Sequence, residues 1–355
     1  MGRVNTTYQG AILGFVGFGA LFVAPLSARS ADFALPAPVA EPSGDFRAFV
    51  SGGAFWTGGE PIPYGSSFGA LDGFIFLLDP TVTPNVGWNA GTGFDYRLPA
   101  SPWHVNGQFR YGQSRGSGSG TPLSFSSADT DINGNPETES GSATSSASLA
   151  EKHWLVDFGA GYEFPFAHNT FQVNFGVRAA RLSATITSPF AFALALSDPL
   201  AVPPDPTSQT ESESSVTVQK STFLGIGPRV GVEGSVPFGK FAFDYAANAA
   251  YLFGNTRINS ESTSNISVTS APPGTGTNLS LNGITSSSTY GQGTAVINGD
   301  FLVGVSYWFT PAFKITLDYR LDAYLAPLRS FDINGNVVSH DRYYHGPEIM
   351  LVAKF

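Results

Sequence analysis

The sequence predicts an all-β fold: a transmembrane antiparallel up-and-down β-barrel of about ten strands, with eight and twelve as the neighbouring even counts. Three observations carry this. Apolar and polar residues alternate with a period of two in ten separate segments, short and long connections between those segments take turns without exception, and the first thirty residues read as an export signal.

Composition narrows the field first. Of 355 residues, 18 are Lys or Arg and 27 are Asp or Glu, while 41 are Gly, 30 Phe and 13 Tyr. Cysteine is absent, which removes disulfide scaffolds, thiolate metal sites and thiol catalysis. The amino-terminal signal has Arg3 before an apolar run over residues 11–26, and Ala28 to Ala31 supply small residues for cleavage. A single membrane anchor is the alternative, but the run is short for a span and holds Pro25. Cleavage removes Arg3 and Arg29 and no acid, leaving 16 basic against 27 acidic residues, a balance of −11. Residues 31–44, with Pro36, Pro38 and Pro42, read as a periplasmic leader, and residues 45–355 as the barrel.

The strands follow in order at about 46–57, 85–98, 102–114, 151–164, 170–187, 216–236, 240–257, 294–309, 312–326 and 341–355. In the second, Trp88, Ala90, Thr92, Phe94 and Tyr96 face one way and Asn89, Gly91, Gly93, Asp95 and Arg97 the other. The ninth sets Phe313, Ile315, Leu317, Tyr319 and Leu321 against Lys314, Thr316, Asp318, Arg320 and Asp322. Helical spacing explains neither run. Short turns join strands two to three, four to five, six to seven and eight to nine. The other connections, 58–84, 115–150, 188–215, 258–293 and 327–340, are expected as long outer loops. A soluble β-sandwich also alternates. The loop rhythm, the aromatics near strand ends (Trp56, Trp103, Trp154, Phe164, Tyr307, Phe309) and the last strand favour a membrane barrel. That last strand places Ile349, Leu351, Ala353 and the terminal Phe355 on one face, the pattern of an assembly signal for the barrel assembly machinery.

Several segments go beyond composition: VSGGAFWTGG at 50–59, VGWNAGTGFDYRLPASPWHVNGQFRYGQS at 86–114, WLVDFGAGYEF at 154–164, VNFGVRAARL at 173–182, FLGIGPRVGVEGSVPFG at 223–239 and HGP at 345–347. Together they resemble the Legionella-type major outer membrane protein family, with GIGPRVG the most specific piece. The resemblance covers most strands but not the outer loops, and some family members carry cysteines that this chain lacks. It implies a pore-forming protein.

Ten strands about 4.8 Å apart and tilted about 40° enclose a backbone cylinder roughly 20 Å across, so inward side chains decide what passes. Arg110, Arg178, Arg229 and Arg320 each lie eight or nine residues from their nearest turn and are expected at one level. Asp157, Asp300 and Glu348 join them, with Glu233, Asp244 and Asp318 lower. Such a belt of mixed charge is either a constriction whose field orients small polar solutes or a set of ion pairs that closes the barrel. Inner-face glycines at 91, 93, 159, 161, 225, 227 and 231 are expected to leave free space, or to serve strand curvature. The outer loops hold 13 acids against Arg115 and Arg329, which favours cations at the mouth or simply solvates the loops.

The sequence holds three further features. Asp-Ile-Asn-Gly-Asn occurs at 131–135 and 332–336, a tight-turn signal. With Asp129 ahead of the first copy, Asp129, Asp131 and Asn133 take the opening positions of a calcium loop, but the twelfth position is Ser140, with Glu139 one residue early. The apolar piece at 74–78 is expected either to fold inward as a partial lid or simply to cover the rim. Among catalytic groupings only His153 with Ser148 and Glu151 stands out, and no enzyme activity is expected. No cofactor and no nucleic acid are expected. The expected partners are outer-membrane lipids and lipopolysaccharide; copy number is not set. The reading is thus a porin-like, cation-preferring barrel in the bacterial outer membrane, with a closed structural or adhesive barrel as the alternative.

Overall fold

A computed structural model of the chain describes residues 46–63, 81–83, 85–130, 136–166, 169–198, 207–271, 278–332 and 335–355. The expected export signal and leader, residues 74–78, Asp131 and Asn133 lie outside the described residues. The strands are β1 (Phe46–Gly59), β2 (Ile62–Pro63), β3 (Thr81–Val82), β4 (Val86–Arg97), β5 (Trp103–Ser119), β6 (Leu123–Thr130), β7 (Pro136–Phe166), β8 (Asn169–Asp198), β9 (Thr207–Phe238), β10 (Phe241–Ala271), β11 (Leu279–Thr310), β12 (Phe313–Phe331) and β13 (Val337–Lys354). Eleven of them form one antiparallel sheet. Ten close a ring, β1-β4-β5-β7-β8-β9-β10-β11-β12-β13 and back to β1, while β6 pairs only with the outer part of β7. The ring has no edge at membrane level, which is what lets a sheet sit in hydrocarbon.

All ten expected strands are present, and the four short turns join the expected neighbours. The expected loops need correction. Strands β7 to β11 run for 30 to 32 residues, where about ten suffice to cross a bilayer. Segments 115–150, 188–215 and 258–293 therefore consist largely of paired strand, and 327–340 is the end of a hairpin. Above the membrane neither face meets lipid, so the oily half of the alternation disappears while the backbone ladder continues through Ser- and Thr-rich sequence.

The wall facing outward at membrane level is apolar: Phe158, Phe175, Val177, Leu224, Ile226, Val230, Tyr251, Phe253, Ile297, Phe301 and Val305 are all exposed. Lipid covers such a surface; water would not tolerate it on this scale. Aromatic pairs ring the periplasmic end, with Trp103 on Tyr162 at 5.1 Å, Phe241 on Tyr307 at 5.0 Å and Phe46 on Phe355 at 6.0 Å. At the seam, β1 and β13 pair from Arg47 opposite Lys354 to Gly59 opposite Arg342, and the Phe355 N–H donates to the Phe46 carbonyl at 2.9 Å.

The upper lumen is packed. Phe55, Leu149, Leu182, Phe223, Leu252, Val296, Tyr324 and Leu328 form an apolar layer with Ile62 of β2 and Val82 of β3, which pair inside the ring. The β12–β13 hairpin contributes by bending: the ladder slips between Tyr324 and Leu328, Ala326 adopts φ +55°, and its N–H donates to Asp341 at 2.7 Å. A left-handed alanine is unfavourable, and that carboxylate bond helps hold it. Beyond the bend, the Arg329 N–H reaches Ser221 of β9 at 3.0 Å. The hairpin turns on the second Asp-Ile-Asn-Gly-Asn, where Gly335 has φ +77° and its N–H donates to the Asp332 carbonyl at 3.0 Å.

Candidate functional site

Strand alternation aims Arg110 of β5, Asp157 of β7, Arg178 of β8, Arg229 of β9, Asp300 of β11, Arg320 of β12 and Glu348 of β13 into the ring, and the structure brings them together. Arg178 is the hub. Its Nε and Nη2 donate to the two oxygens of Asp157 at 2.7 and 2.6 Å, its Nη2 also lies 2.7 Å from Asp300, and its Nη1 meets Asn298. Arg110 makes a forked bond to Asp322 at 2.7 and 3.2 Å and sits 3.5 Å from Asp300. Arg229 donates to Asn248 at 3.0 and 2.6 Å, and Asn248 donates onward to Asp300 at 3.0 Å. Gln108 donates to Asp157 at 2.5 Å, and Arg320 holds Glu348 at 2.8 Å. None of these eight charged residues is more than 8% exposed. Ions removed from water this far must be paired, and the forked arginine geometry supplies that pairing.

Asp318 departs from the pattern. It is buried opposite Glu348, and neither carboxylate oxygen has a hydrogen-bond partner among the described residues. Glu233 and Asp244 sit lower, as expected, and line a cavity of about 250 Å³ between the belt and the periplasmic turns. Asp244 takes Lys314 at 3.0 Å there. At the cavity's base His104 bridges Asp95 at 3.0 Å and Glu163 at 3.1 Å.

The free space expected beside the arginines is taken. Phe49 lies over Gly93, Gln172 and Asn174 over Gly161, the Phe223 ring over Gly225 and Asn248 over Gly231; a Cβ at any of these would meet its neighbour within 2.4 Å. At Gly227 the obstacle is backbone, the Tyr251 carbonyl at 1.8 Å, so there the absent side chain serves close strand coiling. Glycine in this lumen accommodates neighbours; it does not open a passage.

Sequence reasoning missed Asp322, Asn248, Asn298 and Gln108 as belt members. Asp322 was legible, because it shares the inner face with Asp318 and Arg320 at steps of two. The amides carried no charge to single them out. A second buried pair, Arg342 with Glu151 at 2.7 Å, was also missed. It uses the Glu151 once grouped with His153 and Ser148. That grouping does not form: Glu151 and His153 are buried inside while Ser148 is exposed on the other face, and the His153 ring lies 4.2 Å from that of Tyr344. Of the calcium candidates, Asp131 and Asn133 lie outside the described residues. Among the described residues no cluster of three or more His or acidic groups is placed to hold a metal.

No curated protein matches the sequence. Among solved structures, the outer membrane protease OmpT of Escherichia coli shares 11% identity over 87% of this chain and 96% of its own, with a TM-score of 0.40. The Pseudomonas putida toluene transporter TodX shares 9% over 88% and 91%, with a score of 0.25. The transport unit of the Escherichia coli autotransporter AIDA-I shares 8% over 95% and 94%, with a score of 0.27. Likeness at that level says nothing about activity. The family comparison is of another order: residues 79–354 match the family described as Legionella pneumophila major outer membrane protein precursor. The chain belongs to the Legionella major outer membrane protein family and is a β-barrel of the bacterial outer membrane.

Proposed function

We propose that this outer-membrane barrel is sealed by its own side chains and serves to carry a β-structured crown beyond the membrane, where its Ser- and Thr-rich strands meet the surroundings. The observation that carries this is Arg178. It has no exposed surface, lies in the lumen, and is bonded both to the neighbouring strand β7 and, across the lumen, to β11. A water path past the belt needs a gap beside such residues, and the apolar layer above adds a second barrier that hydrated ions cross poorly. Planar-bilayer recording of the purified protein in KCl tests the reading. The expected trace stays at the lipid baseline; reproducible conductance steps from the wild type overturn it.

A narrow, cation-preferring pore is the second reading, favoured by the cavity that reaches Arg229 and Asp300 from the periplasmic side and by the acidic outer segments. On this reading the belt rearranges to conduct. Changing Arg110, Arg178 and Arg229 together to Ala then raises conductance and shifts the reversal potential toward cations in a KCl gradient, because positive charge is lost beneath an acidic mouth. An unmoved reversal potential in a conducting protein removes the belt as the selectivity element.

A further inference from the structure

We propose that the outer wall carries a binding site for the phosphate groups of outer-leaflet glycolipid, formed by Arg115, Lys152, Arg181, Lys220 and Arg257. Each is exposed and holds an outward position on its strand, on β5, β7, β8, β9 and β10 respectively, five neighbours in the ring.

The register puts them in three successive rows of the sheet. Arg115 pairs with Ala150, which pairs with Thr185, and Thr185 pairs with Lys220, so Arg115 and Lys220 share a row. Lys152 pairs with Ser183, Ser183 with Thr222 and Thr222 with Arg257, which is the next row down. Arg181, between Trp154 and Leu224, stands one row lower. Three rows and five strands make a patch about 13 Å tall and 19 Å wide. In a protein with 27 acids against 18 bases, Glu261 is the one carboxylate on the outward face of these five strands above the apolar band. None of the five cations has a carboxylate within salt-bridge distance among the described residues; Arg257 touches only the Asn259 side chain at 3.2 Å. Their charge is therefore available.

Position identifies the occupant. Immediately beneath the patch stand Val156, Phe158, Val177, Ile226 and Phe253, all exposed and lipid-facing. A ligand fitting both zones has acyl chains below and anionic groups above at the upper rim of the hydrocarbon, the arrangement of a phosphorylated glycolipid such as lipopolysaccharide. Arginine suits phosphate through its forked donors, and lysine as a point charge. The far wall differs: on β1 and β13 Trp56 lies against His345 at 5.9 Å, with no outward cation beside them. The site thus holds lipid on one side of the barrel, whether or not the lumen conducts.

The test uses full-length protein in detergent and three probes: lipopolysaccharide, the same material with its lipid phosphates removed, and inorganic phosphate. The variant Lys152→Gln, Arg181→Gln, Lys220→Gln, Arg257→Gln is expected to bind lipopolysaccharide at least tenfold more weakly, while Arg97→Gln with Lys240→Gln, at the periplasmic turns, stays within twofold. Dephosphorylation is expected to weaken wild-type binding to a similar degree, and added KCl to weaken the wild type more than the variant. Heat-modifiable gel mobility reports folding. If the quadruple variant misfolds, the pairs Lys152→Gln with Lys220→Gln and Arg181→Gln with Arg257→Gln are each expected to lose at least threefold. Undiminished binding by the folded variants, equal binding of the dephosphorylated lipid, or displacement by inorganic phosphate at the lipid's own concentration overturns the proposal.

Discussion

Arg178 on β8 and Asp157 on β7 face one another across the sheet, and the guanidinium closes on both carboxylate oxygens at 2.7 and 2.6 Å. The pair is fully inside the ring, where water cannot share the load. Removing Asp157 leaves Arg178 to share Asp300 with Arg110 and the buried cluster one negative charge short, whereas replacing both Asp157 and Arg178 with apolar groups removes one charge of each sign. Asp157→Ala is therefore expected to destabilise the folded barrel by about 3–5 kcal/mol, and Asp157→Leu with Arg178→Met by far less. Urea titration followed by heat-modifiable mobility measures both. Equal losses in the two variants would show that the pair matters for its shape alone.

Period-two alternation made the ten membrane crossings legible, because lipid on one side and a polar lumen on the other write opposite chemistry on successive residues. Arg110, Arg178, Arg229 and Arg320 were placed at one level by counting from the turns, and they do converge around Asp300. What failed was the outer half. From Ser140 to Ser148 the residues are only Ser, Thr, Gly and Ala, too small and alike on the two faces for a strand to carry a clear alternating signature, although β7 pairs through it. The inner glycines misled for a related reason. A sequence shows that Gly93 lacks a side chain, but not that Phe49 from β1 fills the place.

The crown gives a topological expectation. β10 ends at Ala271 and β11 begins at Leu279, while the Pro237–Phe241 turn joins β9 to β10 at the other end of β10, with Gly239 at φ +70°. Insertions at exposed tips are tolerated where few backbone bonds are lost. An epitope inserted at 272–277 is expected to be labelled on intact cells, and one at Gly239 only after the outer membrane is opened. Labelling in the reverse order inverts the barrel.

Phe355 is proposed as an assembly anchor. Its N–H completes the seam with Phe46, its ring packs on that residue, and 69% of it remains exposed at the periplasmic rim. This bond and ring tie the end of β13 to β1. Deleting Phe355 is expected to lower the amount of heat-modifiable barrel in the outer membrane severalfold, with the chain degraded in the periplasm. Phe355→Tyr, which keeps the ring, is expected to assemble normally. Normal insertion of the deletion removes the anchor role.

His340 provides a pH test of the inward hairpin. It sits on β13 above the apolar band, 2% exposed, with Nε2 2.7 Å from the Ser330 hydroxyl and Nδ1 3.9 Å from the Glu60 carboxylate. Burial, followed by the charge of Arg342, pulls its pKa down from 6.5 to about 4, so the docked imidazole stays neutral where a released one would take a proton. The unfolded or detached hairpin therefore binds more protons between those values, and stability falls as pH drops from about 6.5 towards 4. The loss by pH 5 is on the order of 1–2 kcal/mol. Hydrogen exchange across residues 325–340 is expected to accelerate over this range while the membrane-level strands stay protected. His340→Gln, which keeps a polar partner for Ser330 but cannot titrate, is expected to flatten the response; an equally steep response in that variant assigns the pH dependence to another group.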